Sequence, residues 1–155
     1  MAFQLSKKDI VKEIIKSGKD PAYFINNYCR IAHPMKGLIA FKTYPYQDDL
    51  LQEFSDYRFT VILKARQLGI STITAAYIVW LMLFYRDKNV LVIATKFATA
   101  ANLVKKVKSI MQNVPPWLKM ADIKIDNRTS FVLTNGSEVK AASTSGDAGR
   151  SEALS

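Results

Sequence analysis

The pattern of apolar and polar positions changes period along the chain, and its first part is typical of helices. Ser6 followed by Asp9 resembles a capping box, and apolar residues then recur on one helical face until Gly18. Asp20-Pro21 repeats the start signal, with an acidic N-cap and proline at the first helical position. Two short helices are therefore predicted before residue 30.

Further along, short apolar runs alternate with segments of helical period. The runs predict strands at Leu38–Phe41, Phe59–Leu63 and Asn89–Ala94, and the segments predict helices at Asp48–Phe54, Ile73–Tyr85 and Ala98–Asn113. Two buried strands joined by a helix make a βαβ unit, which implies parallel strands. The order of these elements predicts an α/β fold.

A hairpin is predicted near the end of the chain. Thr129–Thr134 and Ser137–Ala142 are strand-like and flank Asn135-Gly136, which is typical of a type I′ turn. The small and polar residues that follow, 142 to 149, predict a loop that carries Arg150.

Composition narrows the class of protein. A chain of 155 residues with 49% hydrophobic content predicts one compact globular unit, and 22 Lys and Arg against 13 Asp and Glu favour partners rich in phosphate. The single cysteine, Cys29, suits a reducing cytoplasm, and the first residues do not resemble a targeting peptide. Ile73–Tyr85 is too short to span a bilayer, which takes roughly 20 apolar residues.

The segment from Phe59 to Thr72 predicts a strand, a phosphate-binding loop and a helix. In the Walker A frame G-x-x-x-x-G-K-[ST], Gly69 and Ser71 match, whereas Lys64 replaces the first glycine and Ile70 replaces the lysine. The pattern alone is therefore a failed match.

The chemistry of the loop requires positive charge near the phosphates, and the residue that carries it need not be at position 70. Lys64 and Arg66 are the candidates. Upstream, Tyr46 and Gln47 precede the loop, and a glutamine amide can donate to and accept from an adenine edge while a tyrosine ring offers a flat apolar surface.

Four segments together resemble the large terminase subunit of tailed bacteriophages, the ATPase that packages DNA into procapsids. They are FINNYCRI at 24–31, GLIAFKTYPYQ at 37–47, ILKARQLGIST at 62–72 and the run through DAGRSEALS. The resemblance covers nearly the whole chain and corresponds to the N-terminal part of the ATPase domain. It implies an α/β P-loop NTPase of the ASCE type, with a mainly parallel central sheet flanked by helices.

The resemblance also implies roles for the matching residues. Tyr46 and Gln47 would read adenine, Ser71 would bind Mg²⁺, Lys64 or Arg66 would stabilise the transferring phosphate of ATP, and Arg150 would reach a neighbouring subunit's nucleotide. The phosphate cradle would be Gln67, Leu68, Gly69, Ile70, Ser71 and Thr72. The implied partners are double-stranded DNA, other copies of the subunit in a ring, the portal protein and the small terminase subunit, in the host cytoplasm.

The sequence departs from the family after the predicted hairpin. We expect an N-terminal helical region at 1–58 and an ATPase core at 59–155 that stops before the Walker B strand and its paired acids, and before the nuclease domain. The expected chain binds ATP but hydrolyses it poorly or not at all alone.

Two other interpretations stay open. A helicase-like ATPase shares the glutamine motif and the P-loop, although such enzymes keep a lysine where Ile70 stands. A non-catalytic assembly module that senses nucleotide would retain the loop without turnover. Contact with DNA through Lys105, Lys106 and Lys108 of the predicted basic helix is a separate hypothesis.

Overall fold

The computed structural model describes residues 6–33 and 35–144. The helices are α1 (Lys7–Lys19), α2 (Pro21–Tyr28), α3 (Pro45–Asp56), α4 (Ile70–Phe84) and α5 (Phe97–Gln112), with a 3₁₀ turn at Pro116–Leu118. The strands are β1 (Arg30–His33), β2 (Gly37–Ala40), β3 (Asn89–Ala94), β4 (Ile123–Asp126), β5 (Ser130–Leu133) and β6 (Glu138–Ser143).

The first two helices begin where the capping signals predict. The Ser6 hydroxyl accepts a hydrogen bond from the Asp9 N–H at 3.2 Å, and the Asp20 carboxylate accepts one from the Tyr23 N–H at 3.0 Å. Helix α1 continues through Gly18 to Lys19, so the predicted stop lies one residue early.

The main sheet is mixed, which corrects the expectation of a mainly parallel sheet. Its strand order is β3-β6-β5-β4, where β3 and β6 are parallel and the other two pairs are antiparallel. Short turns join β4, β5 and β6, and such turns connect only antiparallel strands. Strand β1 pairs with β2 in a separate antiparallel hairpin.

The predicted strand at Phe59–Leu63 is absent. These residues form no strand, and the side chains of Phe59, Val61 and Leu63 are 82%, 97% and 102% exposed. A strand needs a hydrogen-bonded neighbour, and the described residues supply none for this run. The βαβ unit predicted to begin there is therefore not formed.

The predicted hairpin forms with a different turn. Strands β5 and β6 pair, but the Gly136 N–H donates to the Leu133 carbonyl at 3.2 Å, and Gly136 has a φ of 87° while Asn135 is not left-handed. This is the geometry of a turn followed by a left-handed glycine, not of a type I′ turn.

Helix α4 lies at the centre of the hydrophobic core, as its continuous apolar run predicts. Its Ile73, Ala75, Ala76 and Val79 are fully buried. The same cluster includes residues from the helices before it and the sheet after it, namely Phe24, Leu51, Val104, Phe131 and Val139. The first turn of α4 is thus anchored by packing along the rest of the helix. Among the described residues no helix is long and apolar enough to cross a membrane.

Candidate functional site

The segment before α4 turns sharply into the helix through two left-handed residues. Gln67 has a φ of 64° and Gly69 a φ of 69°, and Gly69 is the N-cap of α4. The Gly69 carbonyl accepts from the N–H groups of Thr72 at 2.9 Å and Ile73 at 3.0 Å, but no side chain caps the helix. The N–H groups of Ile70 and Ser71 come before Thr72, the first residue whose N–H has an intrahelical acceptor, so this end of α4 presents donors to an anion.

The first turn of α3 holds this loop in place. The Tyr46 hydroxyl donates to the Leu68 carbonyl at 2.8 Å, and the Gln47 Nε2 donates to the same carbonyl at 3.3 Å. Gln47 Oε1 accepts from the Tyr44 N–H at 3.2 Å, and the residue is only 2% exposed. The structure therefore brings Tyr46 and Gln47 to the loop, but the Gln47 amide contacts the protein's own backbone. Reading of adenine by this pair stays a prediction.

Gly69 also lies close to the Gln47 side chain. A Cβ atom at position 69 would lie 2.8 Å from Gln47 Nε2. A side chain there would meet both the strain of a positive φ and this contact. An alanine at position 69 would therefore require the Gln47 side chain to shift.

Two aromatic rings form a flat surface beside the loop. Tyr44 and Tyr46 stack with centroids 5.7 Å apart and planes 6° from parallel, and they are 63% and 41% exposed. An exposed aromatic pair of this kind can stack on a planar ligand such as a base.

The two predicted cations of the loop are both exposed. Lys64 Nζ donates to the neighbouring Ala65 carbonyl at 3.2 Å, and within the described residues Arg66 forms no ion pair. Ile70, which occupies the lysine position of the motif, packs against the hydrophobic core. This conformation turns position 70 toward the interior, so any phosphate-neutralising charge has to come from elsewhere.

The sequence analysis considered Lys106 only for contact with DNA and missed its position near the loop. Lys106 Nζ, on α5, donates to the Thr72 hydroxyl in the first turn of α4 at 3.1 Å. Next to this contact is a cavity of 350 Å³ that is lined by Ser71, the end of β3 and α5. No spacing in the sequence could have found it, because the contact depends on how α4 and α5 pack.

The lysines of α5 have different neighbours, and contact of this helix with DNA stays a prediction. Lys108 forms an ion pair with Asp126 at 2.6 Å and also donates to the Asn127 carbonyl. A cavity of 310 Å³ beside α5 is lined by Ala98, Ala101, Asn102, Lys105, Lys108 and Arg128. Lys105 and Lys108 therefore belong to this cavity, whereas Lys106 belongs to the loop side of the helix.

A metal ion would find few ligands in this part of the chain. Ser71 is exposed and supplies one hydroxyl, and the described residues contain no group of three or more His, Cys, Asp or Glu that could hold a metal. Mg²⁺ in nucleotide sites is usually held by one or two carboxylates together with phosphate oxygens. The Ser71 hydroxyl alone does not make such a site.

Cys29 and Arg150 are two further residues named in the sequence analysis. Cys29 is buried, and burial raises the pKa of its thiol, so it is an unreactive core residue. Arg150 lies outside the described residues, so its predicted role toward a neighbouring subunit stays a prediction.

Comparison with known proteins shows a similarity in fold to a bacteriophage protein. No family model matches the chain. The crystal structure of the HK97 bacteriophage large terminase is similar, with a TM-score of 0.65 and 18% sequence identity. The match covers 83% of this chain but 28% of the terminase chain. The protein thus has a terminase-like fold over about a quarter of that protein's length.

Proposed function

We propose that the chain is the ATP-binding portion of a DNA-packaging motor of the large terminase kind. In such a motor, ATP hydrolysis is coupled to the translocation of double-stranded DNA into procapsids. The observation that carries the proposal is the uncapped start of α4 after two left-handed residues, in a fold similar to that of a large terminase. The proposals that the loop is a P-loop and that the protein is of the ATPase class rest on this geometry and on the sequence motifs.

The phosphates of ATP would lie at the start of α4. The N–H groups of Gly69, Ile70 and Ser71 would donate to phosphate oxygens, and the exposed Arg66 and Lys64 side chains would neutralise their charge. Gln67 and Leu68 complete the cradle, since Gln67 supplies the left-handed turn and the Leu68 carbonyl is held by α3.

The base of the nucleotide would lie on the side of α3. The exposed Tyr44 and Tyr46 rings offer a stacking surface there. Because the Gln47 amide already bonds Leu68 and Tyr44, we assign Gln47 a positioning role for the loop, and base recognition by its amide would require these bonds to be exchanged.

Hydrolysis by this chain alone is proposed to be slow or absent. Phosphoryl transfer needs positioned cations and a group that orients the attacking water. The described residues supply the Ser71 hydroxyl for Mg²⁺ but no carboxylate cluster beside it, so we derive no chemical step through the metal. The partners implied by the resemblance, a ring of further copies, the portal protein and the small terminase subunit, would belong to the complete motor.

A non-catalytic module that senses nucleotide is the second candidate function. It is favoured by the inward packing of Ile70 and by the lack of a metal-binding acid cluster among the residues described. Both candidates bind nucleotide, and they differ in whether the complete assembly hydrolyses it. Release of phosphate from radiolabelled ATP by this chain at an ordinary enzymatic rate would exclude the sensing module and would also contradict the slow hydrolysis proposed above.

Nucleotide affinity tests the proposal itself. Titration of the purified chain with ATP and Mg²⁺ by calorimetry should show binding, and Arg66→Ala should weaken it about tenfold or more, because a hydrogen bond to a charged group contributes about 1.5–3 kcal/mol. Lys124→Ala is the matched control, since it removes one exposed positive charge from β4. Absence of binding by the unaltered chain, or equal losses in the two variants, would contradict the proposal.

A further inference from the structure

The lysine that reaches the loop from α5 forms no ion pair with a residue that the structure describes. Lys106 is exposed, and its described contact is the hydrogen bond from Nζ to the neutral Thr72 hydroxyl at 3.1 Å. The ion pairs found within the residues described, Lys108 with Asp126 and Lys140 with Glu138, do not involve it. Within the part of the chain that the structure describes, no carboxylate pairs with the Lys106 ammonium, so its charge can act on a ligand.

The position of this charge is set by rigid elements. Thr72 is the third residue of α4, directly after Ile70 and Ser71, whose N–H groups face the proposed phosphates. Lys106 lies in the middle of α5, between Val104 and Val107, which are both fully buried against the core. Packing of the two helices thus fixes the Lys106 stem beside the first turn of α4, while its flexible end can move.

There is room for an anion beside this ammonium. The 350 Å³ cavity is bounded by Ser71, Thr99, Asn102, Lys106 and the end of β3. One water molecule has a share of liquid volume of about 30 Å³, so a phosphate group fits this space with several waters. A second cavity of 140 Å³ lies on the other side of Lys106, next to Thr72 and Ser109.

We propose that Lys106 supplies the ammonium that the loop's own sequence does not place at position 70, and that it binds a phosphate of the nucleotide seated at the start of α4. This inference rests on the proposed function and adds a phosphate-binding residue from outside the motif. Thr72 is the positioning residue, because its hydroxyl holds the ammonium near the site before the nucleotide arrives. The ligand class is a polyphosphate, recognised by charge rather than by its base.

The test is a titration of the whole chain with ATP and with inorganic tripolyphosphate, each with Mg²⁺. Lys106→Gln should weaken the binding of both ligands about tenfold or more, in the range of one charge-assisted hydrogen bond, while adenosine binding is unchanged. Lys106→Arg should retain most of the affinity. Thr72→Val should cause a smaller loss of affinity, because the Lys106 ammonium remains but the Thr72 hydroxyl no longer holds it in place. Lys124→Gln, which removes a positive charge on β4, should match the unaltered chain.

Several results would overturn the inference, and they can be told apart. Binding of ATP by the unaltered chain with the same affinity in Lys106→Gln would reject Lys106 and leave the proposed function intact. No binding of ATP or tripolyphosphate by the unaltered chain would reject both. A loss of thermal stability in Lys106→Gln without a change in affinity would show that the contact with Thr72 only ties α4 to α5. Because Lys106 is exposed, circular dichroism of each variant should show a folded chain.

Discussion

Single residues decide the shape of the loop before α4. Gly69 combines a φ of 69° with a Cβ position that would lie 2.8 Å from the Gln47 amide nitrogen. The sequence identified Gly69 and Gln47 as site residues, but it could not show that they constrain each other. That constraint depends on the packing of α3 against the loop, which no local pattern encodes.

Gly69→Ala should destabilise the protein more than Gly37→Ala. Gly37 has nearly the same φ, 67°, but nothing lies within 4 Å of its Cβ position, so it is a control for backbone strain alone. A left-handed alanine costs roughly 1–2 kcal/mol, and Gly69→Ala adds the displacement of the Gln47 side chain. Urea unfolding of both variants measures the difference, and equal losses would contradict the tight contact.

A second residue-scale prediction concerns Glu13, away from the loop. The hydroxyls of Tyr28 and Tyr23 donate to its carboxylate at 2.5 and 2.7 Å, and these bonds lower the pKa of Glu13 below its ordinary 4.5. A carboxyl whose pKa is lower in the folded state contributes stability that is complete above its unfolded pKa and is lost as the pH falls through the folded value.

Tyr28→Phe should therefore lower the free energy of unfolding at pH 7, by less than about 1 kcal/mol because the Glu13 carboxylate is partly exposed to solvent. The edge-on contact of this ring with Trp117 does not need the hydroxyl. The midpoints of urea unfolding of the variant and the unaltered chain should be measured between pH 7 and pH 2.5. The difference between the two midpoints should become smaller below about pH 4. A difference that grows in acid would contradict the assignment.

At the scale of elements, the sequence predicted helices well and one strand wrongly. The starts of α1 and α2 follow from Ser6 and Asp20, whose side chains act locally, within three residues. The apolar run Phe59–Leu63 has the composition of a strand, yet a strand depends on distant partners. Strand β4 was missed for the opposite reason, since its alternation of Ile123 and Ile125 with charged residues is short, and it forms because β5 pairs with it.

A pair of leucines tests this account of the elements. Leu63→Ala should change the free energy of unfolding by less than about 0.5 kcal/mol, because the side chain is 102% exposed. Leu133→Ala, in β5, should cost about 2–5 kcal/mol, because that side chain is 1% exposed and its removal leaves a cavity. Chemical unfolding gives both values. A large loss in Leu63→Ala would show that the run is packed after all.

At the scale of the whole molecule, α5 presents cations to two neighbouring regions of the surface. Lys106 lies beside the loop, and Lys105, Lys108 and Arg128 line the other cavity. The net charge of +9 favours partners rich in phosphate, whereas only the packing of α5 shows that these cations have different neighbours.

If the second region contacts double-stranded DNA, binding should weaken as salt rises. In a plot of the logarithm of the binding constant against the logarithm of the salt concentration, each DNA phosphate that the protein neutralises contributes about −0.9 to the slope. Arg128→Ala should make the slope shallower by about one such contribution, whereas Lys8→Ala, on the exposed side of α1, should leave it unchanged. Fluorescence anisotropy with a DNA duplex measures both slopes. Binding that does not respond to salt would rule out phosphate contact.

The central claim is that a nucleoside triphosphate binds at the start of α4. Amide resonances of the isotopically labelled chain, followed while ATP and Mg²⁺ are added, report the location directly. We predict that the largest shifts fall on Gly69, Ile70, Ser71 and Thr72, while Gly136 in the distant turn between β5 and β6 stays fixed. The claim would be contradicted if the amide resonances of Gly69–Thr72 did not shift at saturating ATP. It would also be contradicted if the largest shifts fell on residues around Lys105 and Arg128.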